Sequence, residues 1–133
     1  MDYPSQYRYT NEHEWVAAEG NKVRIGITDF AQQQLGDIVF VELPTAGAEL
    51  TAGHAFGTIE SVKAVSEVFA PVTGKVTAVN SALATSPEKV NQDPHGAAWL
   101  VEATLSDPGQ LGKLMDKAAY EKFLAAQEPA ESH

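Results

Sequence analysis

Hydrophobic and polar positions alternate in short runs from Trp15 to Leu105, and Gly, Pro and Asn residues separate the runs. Alternation puts apolar side chains on one face of a strand, and short runs at close spacing predict an all-β sandwich or barrel rather than a parallel sheet. Val23, Ile25 and Ile27 alternate with Arg24 and Gly26 in one strand, and Ile38 to Leu43 forms a second that Pro44 stops. Ala55 to Ser61 and Glu67 to Phe69 are predicted strands on either side of Lys63, Lys75 to Val79 follows the Thr73-Gly74 turn, and Trp99 to Thr104 is the last. Asn21-Lys22-Val23 and Gly74-Lys75-Val76 each open a strand after a turn. Two halves of a quasi-symmetric sandwich produce such an echo, although so short a match also arises by chance.

Helices are predicted at the edges. Thr28-Asp29 supplies an N-cap for Phe30 to Leu35, and Gly36 stands where a left-handed C-terminal residue is preferred. A turn of helix is expected at Pro87 to Val90. Asp116 opens a C-terminal helix whose Ala118, Ala119, Tyr120, Phe123 and Leu124 form an apolar stripe able to lie on the sheet. A single domain over residues 1–127 with a flexible tail at 128–133 is the expected organisation.

Composition narrows the function classes. At 133 residues the chain suits one domain, and 44% hydrophobic with 20% charged residues is globular. No apolar run is long enough to span a bilayer, and the first residues look like neither a secretory signal nor an Arg-rich transit peptide, so a cytoplasmic protein is expected. A formal charge of -9 argues against nucleic acid and anionic membranes as partners. The absence of cysteine means that any redox sulfur chemistry must come from a cofactor.

The informative stretch is Gly57 to Gly74, in which two strand-like arms flank Lys63 with only small or medium neighbours. That pattern suits a hairpin offering one amine at its tip to another enzyme's active site. A lysine amine in water is almost wholly protonated at neutral pH, so its acylation needs an activated donor and a ligase that removes a proton. Taken alone, a surface lysine is most often only a solvated charge.

Glu60-Ser61-Val62-Lys63-Ala64, followed by Ser66-Glu67-Val68 and Pro71-Val72-Thr73-Gly74, resembles the lipoyl-attachment segment of glycine cleavage H-proteins. His13-Glu14-Trp15-Val16, Gly26-Ile27-Thr28-Asp29, Ala31-Gln32, Leu35 to Pro44, Val79-Asn80, and Asn91 ahead of Pro94 and Trp99 are similar to that family in the same order. The resemblance runs from about Tyr9 to the C-terminal helix.

The resemblance implies a sandwich or barrel of the lipoyl/biotinyl hybrid-motif type, with short flanking helices and a C-terminal helix, acting as a carrier and not an enzyme. It implies covalent lipoate on Lys63, loaded by a lipoate ligase or a lipoyl/octanoyl transferase. The arm would take an aminomethyl group from the pyridoxal-phosphate glycine decarboxylase (P-protein), deliver it to aminomethyltransferase (T-protein), and be reoxidised by dihydrolipoamide dehydrogenase (L-protein). Tethering keeps the intermediate at high effective concentration near its next partner. The family's cleft for the loaded arm would correspond here to Glu12, Glu14 and Glu67, whose carboxylates could pair with an ammonium.

Relatives often carry His or Tyr at the position of Phe30, and some His at that of Gln34, so the resemblance carries no arm-holding role to that helix. His95-Gly96 replaces a Tyr-acidic pair common near Asn91. Of the remaining residues, His13-Glu14 opens a zinc-protease-like motif but Ala17 stands where the second His is needed, and His13, His54, His95 and His133 lack metal-ligand spacing. Gly57 and Gly74 read as turn or close-packing glycines, and Trp15 and Trp99 as core aromatics. No Ser-His-Asp or paired-carboxylate arrangement argues for an enzyme. The rival readings are an H-protein-like relay that donates lipoyl groups to other acceptors, and an unmodified acidic binding module. A biotin carrier is disfavoured because Val62-Lys63-Ala64 replaces the usual Met-Lys-Met.

Overall fold

A computed structural model describes residues 3–127; the tail expected at 128–133 lies outside the described residues. The strands are β1 (Arg8–Tyr9), β2 (Glu14–Glu19), β3 (Lys22–Ile27), β4 (Ile38–Glu42), β5 (Glu49–Leu50), β6 (Ala55–Ser61), β7 (Val65–Phe69), β8 (Gly74–Val79) and β9 (Val101–Leu105). The helices are α1 (Asp29–Leu35), α2 (Ala82–Thr85), α3 (Lys89–Gln92) and α4 (Lys117–Gln127), with a 3-10 turn at Pro108–Lys113. Six strands form one sheet in the order β1-β2-β3-β9-β8-β5, and β4-β6-β7 form a second. Every pairing is antiparallel, as the alternating pattern predicts.

The echo between Lys22-Val23 and Lys75-Val76 has a structural counterpart. Both lysines pair with Thr104 and both valines with Ala103, from opposite sides of β9. Val23, Ala103 and Val76 therefore form one buried row across three strands. Val16, Ile25, Ile59, Val68, Val72, Leu100 and Val101 extend this core between the two sheets.

A second buried cluster is made of the aromatic residues Tyr9, Trp15, Phe30 and Tyr120 together with Leu124. It fixes α4, whose buried positions are Tyr120 and Leu124, one helical turn apart. The Tyr120 ring stacks on Tyr9 at 4.7 Å between centroids. Ala118 and Ala119 are exposed, so the apolar stripe is narrower than expected and packs on β1 and α1 rather than across the main core. Asp116 caps this helix as expected, accepting from the Ala119 amide at 2.8 Å. Trp15 belongs to the core, and its indole N–H donates to the Pro94 carbonyl at 2.9 Å. Trp99 is instead half-buried, with the Arg24 guanidinium 4.9 Å above its ring.

Close approach explains several glycines. A Cβ on Gly26 would come within 2.6 Å of the Trp15 ring, and one on Gly57 within 2.7 Å of the Glu42 carbonyl oxygen. Thr28 caps α1, accepting from the Ala31 amide at 3.3 Å. Gly36 has the positive φ expected at the helix end, +84°, but its ψ of -154° takes it out of the left-handed helical region into one that essentially only glycine occupies.

Candidate functional site

β6 and β7 form the predicted hairpin, with Glu60 opposite Val65 and Val62-Lys63-Ala64 at the tip. Ser61 organises the turn: its Oγ accepts from the amides of Lys63 at 3.3 Å and Ala64 at 3.0 Å and donates to the Ala64 carbonyl at 3.2 Å. The Ser61 amide donates to the same carbonyl at 2.7 Å, and the Val62 amide to the Asp37 carbonyl at 3.1 Å. Every amide from Ser61 to Ala64 thus has an acceptor within the protein, which makes the tip rigid through its backbone. The Lys63 side chain is left exposed, and a Cβ on Gly36 would lie 3.5 Å from its Cε.

Asn91 holds the platform under this lysine. Its Oδ1 accepts from the Ile38 amide at 2.9 Å, and its Nδ2 donates to the Gly36 carbonyl at 2.8 Å and to Gln32 Oε1 at 2.9 Å. One carboxamide therefore ties α3 to α1 and to the segment that receives the Val62 amide. Asn91→Ala strips partners from the Ile38 amide and the Gly36 carbonyl, and is expected to cost about 1–3 kcal/mol by urea unfolding. Asn91→Asp keeps the acceptor for Ile38 but turns a carboxylate oxygen toward the Gly36 carbonyl, so it is expected to cost at least as much as Asn91→Ala.

Glu14 and Glu12 come together at a cleft of about 460 Å³ lined also by Thr10, Phe69, Lys113 and Met115. Glu14 is 2% exposed; its Oε1 accepts from the Thr10 hydroxyl at 2.5 Å and its Oε2 from the Phe69 amide at 3.1 Å. The second bond joins β2 of the large sheet to the edge of β7 in the small one. Burial pushes the Glu14 carboxyl up to about 7, against the downward pull of the Thr10 and Phe69 hydrogen bonds. Glu12 is exposed at the rim, its amide donating to Thr10 Oγ1 at 3.2 Å. Glu67 is not brought to this cleft: it lines a separate depression of about 280 Å³ with Glu42 and Thr58, on the outer face of the small sheet.

His13 precedes Glu14 with a φ of +70°, unusual for a residue with a Cβ. Its Nδ1 is 2.8 Å from the Tyr120 hydroxyl, which is 2.7 Å from Thr28 Oγ1, so one chain of hydrogen bonds links α4, the cap of α1 and the turn leading to Glu14. Burial lowers the pKa of this imidazole. Phe30 is buried 4.6 Å from the His13 ring, whereas Gln34 is exposed. His95, the departure near Asn91, is buried and its Nε2 accepts from the Asp29 amide at 3.0 Å, satisfying a donor at the start of α1. Among the described residues no group of three or more His, Cys, Asp and Glu is placed to hold a metal.

Sequence reasoning missed Thr10, Asp37 and the structural role of Asn91. Ser61 carried a local signal, since a serine two residues before a turn lysine can capture its amide. Thr10 acts within four residues, on Glu14 and on the Glu12 and Glu14 amides, whereas Asp37 and Asn91 act across the fold and leave no such local trace.

Comparison with known proteins agrees with this geometry. The family described as Glycine cleavage H-protein matches residues 7–127. The chain is 60% identical over 127 residues to the glycine cleavage system H protein of Koribacter versatilis, covering 96% of this chain and 98% of that one. It is 54% identical over 124 residues to that of Anoxybacillus flavithermus, covering 93% and 98%. A crystal structure of a glycine cleavage system H protein from Mycobacterium marinum superposes with a TM-score of 0.85 at 36% identity, covering 92% of this chain and 99% of that one. With sequence, fold and the lysine hairpin in agreement, the chain belongs to the glycine cleavage H-protein family.

Proposed function

We propose that Lys63 is the residue through which this protein carries lipoate as the shuttle of the glycine cleavage system. The observation that carries the reading is the hairpin tip, where every amide from Ser61 to Ala64 is satisfied while the amine-bearing side chain stands in solvent. A ligase reaching such a tip meets a fixed backbone and one mobile nucleophile, so little ordering cost opposes docking. The residues present fit the group, because nothing bulkier than valine flanks the lysine and Gly36 leaves room beside its stem.

When bound, lipoate supplies a disulfide that accepts an aminomethyl group and electrons, chemistry that a chain without cysteine does not have itself. This chain's own contribution is then to present, orient and shield. Glu14, at the cleft wall, would accept a hydrogen bond from an ammonium group brought there, and the positive charge would draw the Glu14 proton off. Glu12 at the rim adds negative charge. Glu67, on the outer face of the small sheet, would have to act from a separate surface. The partners implied are glycine decarboxylase, aminomethyltransferase, dihydrolipoamide dehydrogenase and a lipoate ligase or lipoyl/octanoyl transferase, and the setting is cytoplasmic. The role is that of a carrier and not a catalyst.

Reconstitution tests this. Protein loaded with lipoate and mixed with glycine decarboxylase is expected to support glycine-dependent carbon dioxide exchange that the unloaded protein does not support. A fully loaded protein without exchange would rule out the glycine cleavage role and favour a relay of lipoyl groups to other acceptors.

A further inference from the structure

The large hydrophobic side chains left exposed among the described residues are Val39, Phe40, Val62 and Val65, at 48%, 51%, 72% and 65%. Val39, Phe40 and Val65 lie on the small sheet, at the end that carries Lys63, and Val62 lies in the hairpin tip. Phe40, Glu60 and Val65 are direct cross-strand partners and share one row of its outer face. Val62 adjoins Lys63 at the tip. Strict alternation would bury either Val39 or Phe40, but the pairing of β4 with β6 shifts between Ile38 and Phe40, and this irregularity turns both outward. Isolated exposed valines are ordinary, whereas an apolar group gathered around one amine marks a contact surface.

Charge defines the partner further. Lys63 is the only Lys or Arg between Arg24 and Lys75, and Asp37, Glu42, Glu60 and Glu67 lie exposed on the same sheet or the turn below it. Acylation removes the one cation and leaves an apolar patch with an acidic border.

We propose that Val39, Phe40, Val62 and Val65 form the docking surface for the enzyme that acylates Lys63, whose active-site mouth is apolar at its centre and basic at its rim. The inference rests on the carrier reading of Lys63. Reach selects this occupant among the enzymes the arm visits. In the loading step the deprotonated Lys63 Nζ attacks the carbonyl carbon of an activated acyl donor, an acyl adenylate or an acyl thioester. The amide C–N bond forms, the bond to the adenylate or thiolate leaving group breaks, and the amine's proton passes to a base of the loading enzyme. Nζ stands only four methylene groups from the backbone, so the hairpin tip itself must enter the mouth of that enzyme. Enzymes acting on the far end of the acyl chain can hold it without closing on the tip.

The test uses the full chain with a lipoate ligase, lipoate and ATP, with acylation followed by intact mass. Phe40→Thr with Val65→Thr, and separately Val62→Thr, place a polar β-branched side chain that suits a strand at each exposed position. Each is expected to lower kcat/KM for loading by about tenfold or more, mainly through KM, with an unchanged unfolding midpoint. After forced complete loading, each is expected to be reduced by dihydrolipoamide dehydrogenase at the wild-type rate. Loading at the wild-type kcat/KM overturns the proposal, as does an equal loss in loading and in reduction. A wild-type chain that takes no acyl group overturns both this inference and the carrier reading beneath it, whereas a wild type that loads while the variants load equally well overturns this inference alone.

Discussion

Lys63→Arg is expected to abolish the lipoyl mass increment, and with it all glycine-dependent carbon dioxide exchange. Arginine keeps the positive charge and much of the length but is never deprotonated in proteins, so it offers no lone pair to an activated acyl group. The fold is expected to be indifferent to the change. The hydrogen bonds of the tip run from the Ser61, Val62, Lys63 and Ala64 amides to Ser61 Oγ and to main-chain carbonyls, and all survive the substitution. A circular dichroism melt superimposable on the wild type, together with complete loss of the increment in lipoate-replete cells, is the expected pair of results. An increment that persists in Lys63→Arg would place the attachment on another lysine.

Glu14→Gln is expected to change how stability depends on pH. A carboxyl whose pKa rises from 4.5 in the unfolded chain to about 7 in the folded one binds its proton more tightly when folded. The wild type therefore loses stability as pH rises between those values, by about 3 kcal/mol in all, and gains none back above them. Glutamine keeps the Phe69 contact through its Oε1 but not the Thr10 contact, because Thr10 Oγ1 already accepts from the Glu12 and Glu14 amides; that loss is the same at every pH and drops out of the trend. Urea unfolding at pH 4, 6 and 8 is expected to show the variant gaining on the wild type steadily, with the largest difference at pH 8. His13 works in the opposite direction: burial lowers its pKa, so stability is lost as pH falls below its unfolded value. That contribution is common to both proteins and drops out of their difference. Parallel pH profiles for the two proteins would mean that Glu14 is ionised in the fold at neutral pH. A raised Glu14 also implies that a cation in its cleft binds more tightly as pH rises toward about 7, because the carboxyl must be charged to hold it.

The parts of the fold legible in the sequence are those governed by neighbours along the chain. Thr28 at the start of α1, Asp116 before α4 and the strands on either side of Lys63 follow from capping chemistry and from alternation. The short β1 and β5, two residues each, are too brief for any pattern to register. β2 opens on an acid, Glu14, whose burial depends on the Phe69 amide meeting it from β7 as well as on Thr10 four residues before it. For the same reason Trp99, which reads as core, is half-buried under Arg24.

The chain's amino-acid order alone settles which residue types are available and where turns fall: one lysine between small neighbours in a β hairpin, no thiol, and a strongly acidic balance. The resemblance in its motifs pointed from there to the family. Tertiary structure decided which acids meet. Glu12 and Glu14 share a cleft while Glu67 faces another surface, because Glu67 lies on the outer face of the small sheet and Glu14 is drawn inward to satisfy the edge amide of Phe69. It also decided that Asn91 supports the segment beneath Lys63 from 53 residues away in the chain at Ile38. Local pattern reflects steric and hydrogen-bonding preferences a few residues long, whereas burial and charge state depend on groups that only folding brings within reach.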